Sequence, residues 1–304
     1  MHKLLGLLNT RYLFIKKSFK GFSFCLIAVS AFLSLCITVE DSAGQGLGNL
    51  QVIPTRIVFD GRKRSAQVNV INNGVEPATY RISFKNMRMK EDGSYEDIEK
   101  ALPNEKFAED LIRYSPRQVE IQPGESQIVR LLLRKKRGLP PGEYRSHMLF
   151  RAIPPETSGK SIESLAGEKG EIKIQLIPIF GITIPVIVRH GKGSATAGME
   201  DLEVNDPKKP GKSPMLTLRL NRQGNRSLFG DMTAKFKPEN GGDELEIGRV
   251  NGVAVFTPNK SRIVSLKLSP PEGVELKRGL LQVVYRENPD DGDKILAEKQ
   301  LRVP

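Results

Sequence analysis

A chain of 304 residues with 38% hydrophobic and 27% charged side chains is long enough for two domains of ordinary size and apolar enough to fold them. Its 2 cysteines, Cys25 and Cys36, lie in one N-terminal apolar run, which excludes a disulfide scaffold and a cysteine-rich zinc site. The formal net charge is +12, with basic clusters at residues 62–64 and 134–137; acidic residues interrupt most of the chain and no nucleic-acid motif accompanies the clusters, so they read as a scattered, solvated surface and no nucleic-acid partner is expected.

Residues 1–20 are basic and contain no acid, and residues 22–39 carry no charge at all. This is the order of an export signal, a positive segment followed by an apolar one. Small residues follow at Ser42, Ala43 and Gly44, which predicts a signal peptide over residues 1–44 cut near Gly44. The apolar run is also long enough for an uncleaved membrane anchor, which is the alternative and the one route to a membrane. Lipid attachment at Cys36 is disfavoured by the bulky Leu35 before it. Basic residues stay on the cytoplasmic side, so either outcome puts residues 45–304 outside the inner membrane, in a periplasm-like compartment. That portion contains no cysteine.

From residue 50 the chain reads as short strands separated by turn signals. Residues 50–60 form one strand candidate, closed by Asp60-Gly61. Residues 65–71 alternate Ala66, Val68 and Val70 with polar neighbours and stop at Asn72-Asn73-Gly74; residues 78–86 alternate Tyr80, Ile82 and Phe84. Asp92-Gly93 reads as a turn, and 99–112 as a short helix or a loop. Residues 119–121, 127–133 and 144–152 are further strand candidates, with Pro123-Gly124 and Pro140-Pro141-Gly142 between them. Residues 172–188 are the longest apolar stretch after the signal. After His190-Gly191-Lys192-Gly193 a second set follows, at 215–221, 228–236, 252–256, 262–268, 280–286 and 295–303. Strands at this spacing predict an all-β fold of two immunoglobulin-like sandwiches, over 45–191 and 192–304.

Catalytic constellations are missing. His147 and His190 are the only histidines beyond the signal, and with no cysteine beside them they make a poor transition-metal set. His147, inside a strand pattern, reads as a structural or surface imidazole. No Gly-x-Ser-x-Gly elbow occurs. Gly44-Gln45-Gly46-Leu47-Gly48 precedes a strand, whereas a dinucleotide fingerprint follows one. Asp290-Asp291 sits in Pro-Asp-Asp-Gly-Asp and reads as a solvated loop. No cofactor and no enzymatic activity are expected.

Four stretches, taken in order, resemble the periplasmic pilus-assembly chaperones of the PapD-like family. They are Thr55-Arg56-Ile57-Val58-Phe59-Asp60-Gly61, then Ile121-Gln122-Pro123-Gly124-Glu125-Ser126-Gln127-Ile128-Val129-Arg130, then Phe150-Arg151-Ala152-Ile153-Pro154-Pro155, then the long strand ending at Arg189. The resemblance covers roughly residues 49–190 and reaches the second domain only by architecture. It implies a non-enzymatic chaperone that binds pilus or fimbrial subunits by lending them a β-strand and hands them on at the outer membrane, where an usher is a further expected partner. Ile172, Ile174, Leu176, Phe180, Ile182, Ile184, Val186 and Val188 share one parity and so one face of an extended strand. The reading assigns Ile172, Ile174 and Leu176 to the donated part and residues 182–188 to the chain's own core. The resemblance also gives Arg56 the role of binding the client's terminal carboxylate, and Arg130 with Glu143 that of a charge link between the domains. The family's second anchoring cation, a lysine in the last strand, falls near Thr183 or Pro185, which carry no charge. A structural envelope protein, an adhesin or pilus component without chaperone activity, is the competing reading; residues 45–49 are too short to be the donor extension of a pilus subunit.

Overall fold

The computed structural model describes residues 49–154, 179–207 and 213–304. In chain order the strands of the first half are β1 (Leu50–Ile53), β2 (Ile57–Phe59), β3 (Ser65–Asn72), β4 (Ala78–Lys85), β5 (Met87–Met89), β6 (Tyr95–Asp97), β7 (Ile112–Ser115), β8 (Gln118–Ile121), β9 (Ser126–Leu133), β10 (Gly142–Ile153) and β11 (Gly181–His190). Those of the second half are β12 (Ala195–Asn205), β13 (Met215–Gly224), β14 (Leu228–Pro238), β15 (Leu245–Val255), β16 (Ser261–Lys267), β17 (Gly279–Arg286) and β18 (Ile295–Val303). The first half pairs a sheet of order β1-β3-β9-β7 with one of order β2-β11-β10-β4-β8; the second pairs β12-β13-β16 with β15-β14-β17-β18. The fold is two β-sandwiches in series.

Alternation builds both cores. In β9, Val129, Leu131 and Leu133 point inward and are buried, while Ile128, Arg130 and Leu132 point out. They meet Val68 and Val70 of β3 and, from the facing sheet, Tyr80, Ile82, Met148, Phe150, Val186 and Val188. The second core is built the same way by Leu216, Leu218 and Leu220 of β13 against Met232, Phe236, Val264, Leu281, Val283 and Tyr285. Tyr285 reaches it with its hydroxyl satisfied by the carbonyl of Val253 at 2.8 Å. Burying such aromatic rings is the largest single contribution per residue to either core.

One expectation is corrected. Residues 50–60 are not one strand: β1 pairs with β3 in one sheet, and β2 pairs with β11 in the other. Pro54, between them, cannot donate to a ladder and has a fixed φ, so the chain leaves the first sheet there and joins the second. Residues 99–112 hold a single 3-10 turn, Glu109–Leu111, before β7. The basic clusters are largely exposed, and Leu133 donates its N–H to the carbonyl of Arg64 at 2.8 Å, which brings the two clusters near each other.

β11 is the strand that positions everything below. It pairs along its length with β10, from Gly181 opposite Arg151 to His190 opposite Gly142. Its other edge is covered by β2 only over Val186, Ile187 and Val188. Among the described residues no strand pairs with that edge ahead of Val186.

Candidate functional site

The two sandwiches meet at the end of β11. Ile187 has the parity that should face solvent, yet it is only 1% exposed, because Met89, Ala254 and Phe256 close over it. Arg145 lays its guanidinium 4.5 Å over the Phe256 ring and donates to the carbonyl of Met87 at 3.2 Å. His147 lies beside it, with the ring of Tyr95 edge-on at 5.3 Å. Burial, and then the charge of Arg145, push the His147 pKa down to about 3, so the imidazole is neutral at any physiological pH. The turn between β5 and β6 reaches across: Ile263 donates its N–H to the carbonyl of Glu91 at 2.7 Å, and the Asn259 amide donates to the carbonyl of Met89 at 2.7 Å.

Beside this apolar junction is a polar one. Glu143, at the start of β10, is the only acid among the buried polar and charged side chains of the described residues. It accepts from Arg189 Nε at 3.2 Å, from the backbone N–H of Ser227 at 3.1 Å and from Thr257 Oγ1 at 3.3 Å, and the Ser227 hydroxyl bonds to it as well. Arg189 also reaches Asp60 at 3.4 Å, and Asp60 accepts from Arg226 at 3.0 Å. Burial by itself would raise Asp60, but the N–H of Gly61 and the charges of Arg226 and Arg189 outweigh it and hold the carboxyl below its ordinary value. The Arg222 guanidinium, 7% exposed, is spent on loop carbonyls: those of Asn259 and Gly224 at 2.8 Å and of Arg226 at 2.9 Å.

Arg56 lines a cavity of about 270 Å³ together with Arg189, Arg226, Ser227, Phe229 and Asp291. It lies just ahead of β2, where the chain crosses between sheets. Its guanidinium stacks 3.9 Å from the centre of the Phe229 ring, and its edge is ion-paired to Asp291. Burial pulls its pKa below the ordinary arginine value and Asp291 opposes that pull. Asp291 ends a 3-10 turn, Pro289–Asp291, between β17 and β18. It is exposed, as its sequence context suggests, and is in addition ion-paired to Arg56.

Arg130 does not meet Glu143. It lies on the outward face of β9, between the inward Val129 and Leu131, and pairs across the ladder with Gln67. The guanidinium on Glu143 is that of Arg189. Thr183 is exposed and uncharged, and the second cation of the cavity is Arg189 with Arg226 beside it. Ile172, Ile174 and Leu176 lie outside the described residues. Their parity can be followed from the other side: Val188, Val186 and Ile184 are in the first core, Ile182 is partly buried, and Phe180 is 49% exposed. Ile179 is 44% exposed as well.

Residues 49–189 match the family described as pili and flagellar-assembly chaperone, PapD N-terminal domain. This segment carries the N-terminal domain of the PapD-like assembly chaperones. The match ends at Arg189, where β11 delivers its last side chains to the junction. No curated protein sequence matches the chain significantly. Solved structures to which the chain is similar include the YadV chaperone, at 13% identity over 84% of this chain and 100% of that one, with a TM-score of 0.43. The CupB2 chaperone of Pseudomonas aeruginosa is 12% identical over 84% of this chain and 100% of its own, with a TM-score of 0.40. The complex of the SafA pilin with the SafB chaperone from Salmonella enterica matches at 11% identity over 84% of this chain and 97% of that one, with a TM-score of 0.38.

Proposed function

We propose that this protein is a periplasmic chaperone that captures pilus subunits by donating a β-strand, holds them folded and passes them on at the outer membrane. Residues 1–44 serve as the export signal, residues 45–191 form the capturing domain and residues 192–304 the second. No cofactor takes part and no bond is made or broken. The donated strand is the continuation of β11 toward its N-terminal side, with Ile172, Ile174 and Leu176 filling the open core of the client. Arg56 takes the client's terminal carboxylate through two parallel hydrogen bonds. Glu143, through Arg189, Ser227 and Thr257, holds the sandwiches at the angle that keeps the cavity open.

The observation that carries this reading is the edge of β11. An unpaired edge is a liability that a sandwich normally blunts, and among the described residues the edge of β11 ahead of Val186 is unpaired, carries no charge and runs into exposed Phe180 and Ile179. The parity that fills the first core runs out of that core at Phe180, so the earlier residues need pockets supplied by something else. The test is co-expression with a pilus subunit lacking its own donor extension. An equimolar complex resistant to dilution is expected. A subunit that aggregates equally with and without this protein would overturn the reading.

A further inference from the structure

We propose that Asp291 is a stand-in for the client's terminal carboxylate, occupying Arg56 until a client takes its place and thereby setting which chains Arg56 accepts. The inference rests on the reading of Arg56 as the client's anchor.

The geometry is specific. Phe229 covers one face of the guanidinium at 3.9 Å, leaving its hydrogen-bonding edge as the way to meet an anion, and Asp291 takes that edge. The Arg56 side chain is 12% exposed, so its guanidinium is partly desolvated and favours a counter-charge. A client carboxylate arriving at Arg56 therefore exchanges with one already present, and the charge count at the guanidinium stays constant. Exchange of like for like yields little net affinity. It does yield discrimination, since a segment ending in an amide or a neutral side chain would have to evict Asp291 and leave Arg56 bare. Affinity must then come from pairing along β11, and a free carboxylate without a strand attached should bind poorly.

The carrier of Asp291 suits an exchangeable contact. It belongs to a surface turn between two strands, and its side chain is 38% exposed. The turn is closed by its own backbone bonds, Asp291 N–H to the carbonyl of Asn288 at 2.8 Å and Glu287 N–H to that of Lys294 at 2.8 Å. It can swing away from Arg56 without breaking either core.

The test uses the full chain and a short synthetic peptide of alternating valine and threonine, made once with a free C-terminal carboxylate and once as the C-terminal amide. Binding of both is measured by calorimetry to the unaltered protein and to Asp291→Asn, Asp291→Ser and Arg56→Ala, each first checked for an unshifted melting curve. The carboxylate peptide should bind about tenfold tighter to Asp291→Asn than to the unaltered protein, with the amide peptide changed much less. Asp291→Ser should repeat this, so that one poorly folded variant does not decide the matter. Arg56→Ala should lose the preference for the carboxylate. If that preference is lost in Arg56→Ala but unchanged in both Asp291 variants, the stand-in is refuted and the anchor reading survives. If Arg56→Ala keeps the preference, or no variant shows one, the anchor reading fails and the stand-in with it.

Discussion

Replacing Glu143 by alanine should loosen the joint between the sandwiches while leaving each core intact. The carboxylate is 1% exposed and accepts from three side chains and one backbone N–H, three of these donors lying in or after the turn before β14. Alanine strands the buried Ser227 N–H, at about 1–3 kcal/mol for a donor without an acceptor. Arg189 keeps Asp60 at 3.4 Å, so its guanidinium is not left bare and adds less than the full penalty of a broken buried pair. The sum is about 3 kcal/mol. A chain of two sandwiches need not unfold in one step, so a global melt is a blunt instrument. Amide hydrogen exchange is sharper. Ser227 and Thr257 should lose protection by about two orders of magnitude, the amount that corresponds to 3 kcal/mol, while Leu218, Leu220 and Val283 in the second core keep theirs. Glu143→Gln, which retains one acceptor and the volume, should fall between. Unchanged exchange at Ser227 in Glu143→Ala would show that the carboxylate is not what joins the two halves.

His147, with its folded pKa pushed down to about 3 against an ordinary value of 6.5, binds a proton more readily when unfolded. Its contribution is present above pH 6.5 and lost as pH falls toward 3, reaching about 2 kcal/mol at pH 5. Stability measured in urea at pH 7 and pH 5 should differ by about that much more in the unaltered protein than in His147→Phe, and equal pH slopes would contradict the burial of a neutral imidazole. Arg130→Ala, on the outer face of β9, should change stability by no more than about 0.5 kcal/mol and leave client capture unaltered, as scored by urea melts and co-purification.

The two-sandwich architecture was legible because it is written in period-two alternation, which a single sequence displays directly; β3, β4, β9, β13 and β17 follow their patterns nearly residue for residue. Strands with weak alternation were not. β12 carries Glu200, Asp201 and Glu203, and it kinks at Asp201, whose φ of 53 breaks the register between Glu200 and Glu203. The first half of β15 interleaves Glu246, Gly248 and Arg249 with its apolar residues. Ile187 breaks the rule in the opposite sense: its parity points outward, and it is buried by Ala254 and Phe256 of the second sandwich together with Met89. The candidate site was legible at Arg56, which sits in a recognisable stretch. Asp291 and Phe229 were not, because they reach Arg56 from the other sandwich and nothing in their local sequence shows the approach. The pairing of Arg189 with Glu143 is hidden for the same reason: β10 and β11 place them opposite each other in register, a fact of pairing rather than of pattern.

The most direct test of strand donation is a paired truncation series along one parity. Ile172→Ala, Ile174→Ala and Leu176→Ala are compared with Ile184→Ala and Val186→Ala, scoring the melting curve of the free protein and the capture of a pilus subunit separately. Ile184, 2% exposed, and Val186, 0% exposed, are in the first core and should lose stability, about 2–5 kcal/mol for the isoleucine. Truncation at residues 172, 174 and 176 should leave the melt nearly unchanged while capture falls sharply. Loss of stability at all five positions, with capture intact in the folded fraction, would contradict donation and make the whole stretch an ordinary core strand.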